Sequence, residues 1–171
     1  MKVFLGHGAS AGAESMKPFV EGLRERGADA HAVQLPRSGG AERAMEPYLR
    51  QSGEGGDVVI GGHSFGGRVA SLLAAGGNRR FAGLMLFSYP LHRPGFQDQL
   101  RTEHWPRISC PVLLLQGESD PFSQPLAQLK EEVRKLERHR LVTYPGAGHG
   151  LKGKALEAAL DEAAAWLRTL A

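Results

Sequence analysis

The chain has 171 residues, a length that fits one domain, and we expect a single domain over residues 1–171. Hydrophobic residues make up 42% of the chain and charged residues 23%, which excludes intrinsic disorder and collagen-like structure. The 21 basic and 18 acidic side chains leave a net charge of +3. Because these charges are scattered along the chain, they do not predict nucleic-acid binding.

Cysteine content and hydropathy indicate the compartment. Cys110 is the only cysteine, so it cannot close an internal disulfide, and a reducing compartment is favoured. The apolar start of the chain reaches Gly6 before a signal-peptide core can form. No apolar stretch approaches the roughly 18 residues of a transmembrane helix. These observations predict a cytoplasmic protein without a membrane partner.

Short apolar runs alternate with helical patterns along the whole chain. The runs are mostly continuous, as is typical of strands that are buried on both faces. They lie at residues 3–5, 30–33, 58–60, 84–87, 112–115 and 141–144. Between them, apolar residues recur at helical spacing. This alternation predicts an α/β fold with a six-stranded, mostly parallel sheet and helices on both faces.

Two segments depart from this regular pattern. Pro47 lies inside the second helical pattern, and we expect that helix to kink or to restart there. The longest stretch without a clear pattern runs from Ser88 to Cys110. A connection of this length inside a small domain is usually functional or forms a partial lid.

The turn after the third predicted strand carries the strongest motif in the chain. It reads Gly62-x-Ser64-x-Gly66, with the strand at residues 58–60 before it and a helical pattern at residues 68–73 after it. This is the nucleophile-elbow pattern, in which a serine occupies a strained strand-to-helix turn and the glycines avoid clashes with neighbouring backbone. The start of the helix also directs backbone N–H groups towards the serine oxygen. We therefore predict that Ser64 is a nucleophile.

A serine nucleophile needs a base, and the base needs a carboxylate that orients it. Both are expected after Ser64 in the chain, each at the end of a strand. The fifth strand is followed by Glu118 and Asp120, of which we favour Asp120 because it lies deeper in the turn and precedes a proline. The sixth strand is followed by a glycine-rich turn that contains His149. The predicted catalytic residues are thus Ser64, Asp120 and His149.

An acyl-transfer site also needs two backbone N–H donors for the oxyanion. One is expected from Phe65, the residue after the nucleophile. The other is expected from the glycine-rich turn after the first strand, where Ala9 is our assignment and Gly8 the neighbouring alternative.

Taken together, these residues resemble the α/β-hydrolase superfamily over essentially the whole chain. The chain is similar to a compact, dienelactone-hydrolase-like branch that includes a testis-expressed hydrolase-like protein and a subunit of the nonspecific-lethal histone acetyltransferase complex. The resemblance is carried by residues 5–10, the elbow with Arg68 four residues after the serine, residues 88–92, residues 111–120 and residues 146–150. It implies an α/β-hydrolase fold. This sequence departs from the superfamily pattern in two ways, since it starts directly at the strand that ends in His-Gly, without the usual two preceding strands, and has no inserted cap domain. We therefore expect a minimal version of the fold, for which a homodimer is one of the expected arrangements.

The leading functional prediction is a serine hydrolase that cleaves an ester or thioester of a small acyl substrate, without cofactor or metal. Tyr89, Leu91 and Phe96 are expected to form one side of a shallow acyl pocket. A non-catalytic binding or scaffold protein with the same residues is the alternative. A dinucleotide loop that begins at Gly6 is a weaker third hypothesis, because the following strand ends at Gln34, where an acidic residue would be expected.

Overall fold

One sheet of six strands organises the chain, in the order β2-β1-β3-β4-β5-β6. The computed structural model describes residues 1–171. The strands are β1 (Lys2–Gly6), β2 (Asp29–Val33), β3 (Gly55–His63), β4 (Phe81–Phe87), β5 (Val112–Gly117) and β6 (His139–Tyr144). All five neighbouring pairs are parallel. The predicted α/β-hydrolase fold class, with its parallel sheet, is therefore confirmed.

Strand β4 shows why the apolar runs are continuous. Leu84 and Leu86 pack into the core on one side of the sheet, while Met85 and Phe87 pack into the core on the other side. Successive side chains of a strand point to opposite faces, so a central parallel strand needs apolar residues at every position.

Five α-helices cover the two faces of the sheet. They are α1 (Lys17–Glu25), α2 (Gly40–Ser52), α3 (Phe65–Ala74), α4 (Leu126–Glu132) and α5 (Gly153–Thr169). Helices α2, α3 and α4 contribute to the core on one side, and helices α1 and α5 contribute to the core on the other side. Of the two alternatives expected at Pro47, a kink or a restart, the restart is wrong, because α2 continues through the proline. Ala44 and Tyr48, on either side of the proline, are buried against the sheet and hold the helix in place despite the missing N–H donor.

Tyr48 connects helix α2 to the two strands that lead to the elbow. Its hydroxyl lies 2.7 Å from the carbonyl oxygen of Phe4 and 2.6 Å from that of Gly61, and it accepts the N–H of Gly61 at 2.9 Å. Burial raises the pKa of this hydroxyl. The phenol therefore stays neutral, and the hydrogen bonds of its one oxygen atom connect helix α2 to strands β1 and β3.

The connection between β4 and β5 is packed onto the fold. Apart from a short 3-10 turn at Trp105–Arg107 it has no regular structure, yet Trp105 is completely buried. His104 donates from Nε2 to Ser71 Oγ of helix α3 at 2.8 Å. Burial, followed by the nearby charges of Arg107 and Arg68, lowers the pKa of His104 to about 4. The neutral ring is therefore part of the structure that anchors this segment.

Replacing Tyr48 with Phe removes the hydroxyl and leaves the groups of Gly61 without that partner. We expect the Tyr48→Phe variant to lose about 1–3 kcal/mol of unfolding free energy, because buried polar groups lose their hydrogen bonds. Urea denaturation measures this loss. Tyr144→Phe is the matched control, since the buried Tyr144 hydroxyl has no partner in the chain, and it should change stability by no more than about 0.5 kcal/mol. Equal losses in both variants would contradict this role of Tyr48.

Acid should destabilise the fold in part through His104. The unfolded state binds a proton near the ordinary histidine pKa of about 6.5, whereas the folded state resists it until the pH falls to about 4. The stability contributed by neutral His104 is therefore lost as the pH falls through this window. The His104→Gln variant should lose less stability than the wild type between these two pH values, by about 1–2 kcal/mol. Urea denaturation at a series of pH values measures the difference, and parallel curves would contradict the prediction.

Candidate active site

Ser64 occupies a strained turn between β3 and α3. Its φ angle is +52°, and its N–H donates to the carbonyl oxygen of Phe87 at 3.0 Å. A Cβ atom at Gly66 would lie 2.1 Å from the carbonyl atoms of Gly6, and one at Gly62 would lie 2.3 Å from the Gly6 oxygen. Glycine is required at both positions because the end of β1 passes directly against the turn.

Ser64, His149 and Asp120 form one continuous line of hydrogen bonds. The Ser64 hydroxyl donates to His149 Nε2 at 2.8 Å, and His149 Nδ1 donates to Asp120 Oδ2 at 2.8 Å. This direction requires the neutral imidazole that carries its proton on Nδ1. The structure thus brings together the three predicted catalytic residues in the order that nucleophilic catalysis needs.

The two candidate carboxylates have different hydrogen-bond partners in the structure. Asp120 is completely buried, and it accepts hydrogen bonds from Gln116 Nε2 at 2.7 Å and from the Phe122 N–H at 2.8 Å in addition to His149. Glu118 instead accepts the hydroxyl of Thr143 at 2.9 Å. Asp120 is therefore the carboxylate that orients His149. Gln116, which donates to Asp120, is not among the residues predicted for the site. A polar residue at the end of a buried strand is an unusual feature that could have indicated it.

Two rings hold His149 in place. Phe122 stacks on the imidazole at a centroid distance of 4.2 Å. His63 donates from Nε2 to the backbone carbonyl of His149 at 2.7 Å, and burial lowers the pKa of His63. The elbow motif itself does not indicate this role of His63. Its position directly before Ser64 places it at the end of β3, where it can reach the loop that carries His149.

A cavity of about 560 Å³ opens above Ser64 and His149. Ala9, Gly8 and Phe65 all line it. The Phe65 N–H is at the first position of α3, where no intrahelical acceptor exists, and the Ala9 N–H has no acceptor in the chain. The two predicted oxyanion donors are therefore on the same cavity as the serine, with Gly8 beside Ala9.

The prediction for the pocket wall is wrong. Tyr89 and Leu91 are buried in the core and do not line the cavity. The Tyr89 hydroxyl donates to the carbonyl oxygen of Arg101 at 2.6 Å, which holds the ring inside the fold. Phe96 is 42% exposed and lies outside the cavity, under the guanidinium of Arg93 at 4.4 Å.

Apart from Pro90, the apolar wall comes from other parts of the chain. It is formed by Met16, Phe19, Phe65, Pro90 and Phe122, together with Ala9 and Ala11. Two of these residues belong to the region around α1, whose helical pattern the sequence assigns to the core. Helical spacing shows which face of a helix is apolar, but it does not show which residue of that face borders a cavity.

No group of three or more histidine, cysteine, aspartate or glutamate side chains lies close enough together to hold a metal ion. No helix combines the length and the apolar character that a bilayer crossing would need.

Comparison with known sequences identifies the family. The profile of the family described as "Alpha/beta hydrolase domain" matches residues 36–167. The chain therefore belongs to the α/β-hydrolase family.

Solved structures with the same fold include several ester hydrolases. A monoacylglycerol lipase of Paleococcus ferrophilus has a TM-score of 0.81 at 18% identity, over 99% of this chain and 94% of the lipase. Est1E of Butyrivibrio proteoclasticus, solved with ferulic acid bound, has a TM-score of 0.80 at 16% identity, over 99% and 89% of the two chains. A protein of Thermoplasma acidophilum described as a predicted CIB-like hydrolase has a TM-score of 0.77 at 20% identity, over 98% of this chain and 86% of that protein. At these sequence identities, the similarity shows a shared fold and nothing more specific.

Proposed function

We propose that the protein is a serine hydrolase that cleaves an acyl ester or thioester bond through an acyl-enzyme intermediate. The observation that carries this proposal is the line of hydrogen bonds from Ser64 through His149 to the buried Asp120, with 2.8 Å at each step. It lies at a cavity large enough for a small organic substrate.

In the first half of the reaction, Ser64 Oγ bonds to the acyl carbon while its proton passes to His149 Nε2. Asp120 then faces a positively charged imidazolium, and its two other hydrogen-bond donors keep the carboxylate in position. The imidazolium returns the proton to the departing alcohol or thiol, and the acyl group stays on Ser64. A water molecule repeats the sequence and releases the carboxylic acid.

The developing oxyanion is held by the N–H groups of Phe65 and of Ala9 or Gly8. These donors are backbone groups of a helix terminus and a tight turn, so little reorganisation is needed when the charge forms. The positive end of the α3 dipole acts in the same direction.

Other features of the proposal rest on resemblance and composition. The lipase and the esterase that share this fold support an ester as the scissile group. The reaction as proposed uses no cofactor or metal. We further propose membership of the compact, dienelactone-hydrolase-like branch, a cytoplasmic location, a small acyl substrate, and no nucleic-acid or membrane partner. A homodimer remains part of the hypothesis.

Activity-based labelling tests the nucleophile directly. A fluorophosphonate probe should label the wild type, and Ser64→Ala should abolish the label and reduce kcat/KM on p-nitrophenyl esters by at least about 10³-fold. Ser119→Ala is the matched control, because Ser119 is exposed, and it should label normally. A folded wild type that neither reacts with the probe nor hydrolyses esters would favour the binding or scaffold role.

The two neighbouring carboxylates should differ sharply in their effect on activity. Asp120→Asn should lower kcat by about 10³–10⁴-fold, because the imidazole loses both its orientation and its counter-charge. Glu118→Gln should have an effect of less than about tenfold, since its carboxylate contacts Thr143 instead of His149. Steady-state kinetics on the same p-nitrophenyl ester gives the comparison. Similar losses in the two variants would show that another group orients His149.

A further inference from the structure

We propose that Arg68, Arg93 and Arg101 form an anion-binding subsite of the active cavity, and that the natural substrate is an ester carrying a carboxylate or a phosphate group. This inference rests on the proposed hydrolase function and specifies the substrate class of the same site. It starts from the composition of the cavity wall, which contains these three arginines and no aspartate or glutamate.

None of the three arginines has a carboxylate partner. Elsewhere in the chain arginine side chains do form ion pairs, since Arg26 contacts Glu157 and Asp161, and Arg140 contacts Glu162. An arginine beside a cavity can reach an incoming carboxylate or phosphate with two parallel N–H donors. Positive charge without an internal counter-charge is therefore concentrated where a substrate would enter.

The arginines are close enough to influence one another. Partial burial lowers the pKa of the Arg101 guanidinium, and the positive charges of Arg68 and Arg93 lower it further. Repulsion among like charges destabilises the empty site, and an anion that binds between them relieves it. This energetic arrangement favours the bound state of a negatively charged ligand.

Arg68 lies on helix α3, whereas Arg93 and Arg101 both lie in the connection between β4 and β5. Arg68 lies one turn after Ser64 on α3, and its N–H donates to the Ser64 carbonyl at 3.0 Å. The backbone of Arg101 is fixed by its N–H bond to Leu91, at 2.9 Å, and by the hydroxyl of Tyr89, at 2.6 Å. The buried Tyr89 and Leu91 therefore support the cavity through Arg101 and do not contact the substrate space themselves.

Arg93 occupies the outer part of the same segment. Its guanidinium stacks on the exposed Phe96 ring, and Nη2 lies 3.4 Å from the amide oxygen of Gln99. These contacts are with an aromatic face and a neutral group, so the positive charge remains available. Arg68 and Arg101 are thus anchored to the fold, and Arg93 is stacked at the exposed edge. Together the three positive charges make the electrostatic potential of this part of the cavity attractive to an anion.

The test compares esters that differ in charge. 4-Acetoxybenzoate and methyl 4-acetoxybenzoate form one pair, with the charge in the alcohol portion. Monomethyl adipate and methyl hexanoate form a second pair, with the charge in the acyl portion. 4-Acetoxyphenyl phosphate and 4-methoxyphenyl acetate form a third pair, in which the charged group is a phosphate. For at least one pair, kcat/KM of the anionic ester should exceed that of the neutral ester by about tenfold or more, and this ratio should fall as salt is added.

Variants assign the preference to the arginines. Arg68→Gln and Arg101→Gln should each reduce the anionic-to-neutral ratio by about tenfold. Arg50→Gln, which changes an exposed arginine on α2 that does not line the cavity, should keep the wild-type ratio. A ratio near one in the wild type for all pairs, or a preference that survives in the Arg68→Gln/Arg101→Gln double variant, would overturn the proposal.

A binding measurement separates this inference from the hydrolase proposal. Calorimetric titration of Ser64→Ala with the same esters needs no turnover. Tighter binding of an anionic ester, lost when Arg101→Gln is added, supports the subsite even if the wild type hydrolyses nothing. Hydrolysis of neutral esters without any binding preference would retain the hydrolase and reject the anionic substrate.

Discussion

The candidate site depends on how closely the backbone at the end of β1 approaches the turn between β3 and α3. Gly6 lies so near to Gly62 and Gly66 that a single Cβ atom would overlap the backbone. This approach brings the loop with Ala9 to the same cavity as Ser64. Tyr48 joins β1 and β3 beside it. The strained turn and the positions of the proposed nucleophile and oxyanion donors thus follow from one packing constraint.

Charge is distributed unequally on the two sides of His149. Behind the imidazole, the buried Asp120 accepts three hydrogen bonds, which stabilise its negative charge in a site without water access. On the cavity side, Arg68 and Arg101 carry positive charge with no acidic partner. In the function that we propose, a substrate anion supplies the counter-charge on the cavity side, whereas Asp120 supplies it behind the histidine.

The long connection after β4 both lines the cavity, at Pro90, Arg93 and Arg101, and supports it through residues buried in the core. Tyr89, Trp105 and His104 are buried, and their contacts fix the segment that presents Arg93 and Arg101. A connection without regular structure can therefore be rigid, because side-chain burial and buried hydrogen bonds replace the backbone ladder of a helix or strand. Apart from Pro90, the apolar wall of the cavity is supplied by other segments.

The sheet, the elbow and the strand-end positions of Ser64, Asp120 and His149 could be predicted from the sequence, as could the preference for Asp120 over Glu118. Buried parallel strands require continuous apolar runs, and the strained turn requires its glycines, so both leave local patterns. Only the packing of the whole chain revealed that His63 reaches the His149 loop and that Tyr89 and Leu91 face the core. It also gathered the arginines at positions 68, 93 and 101, which no local pattern connects. These outcomes depend on side-chain direction and on packing between segments distant in the chain, whereas periodicity records only which residues avoid water.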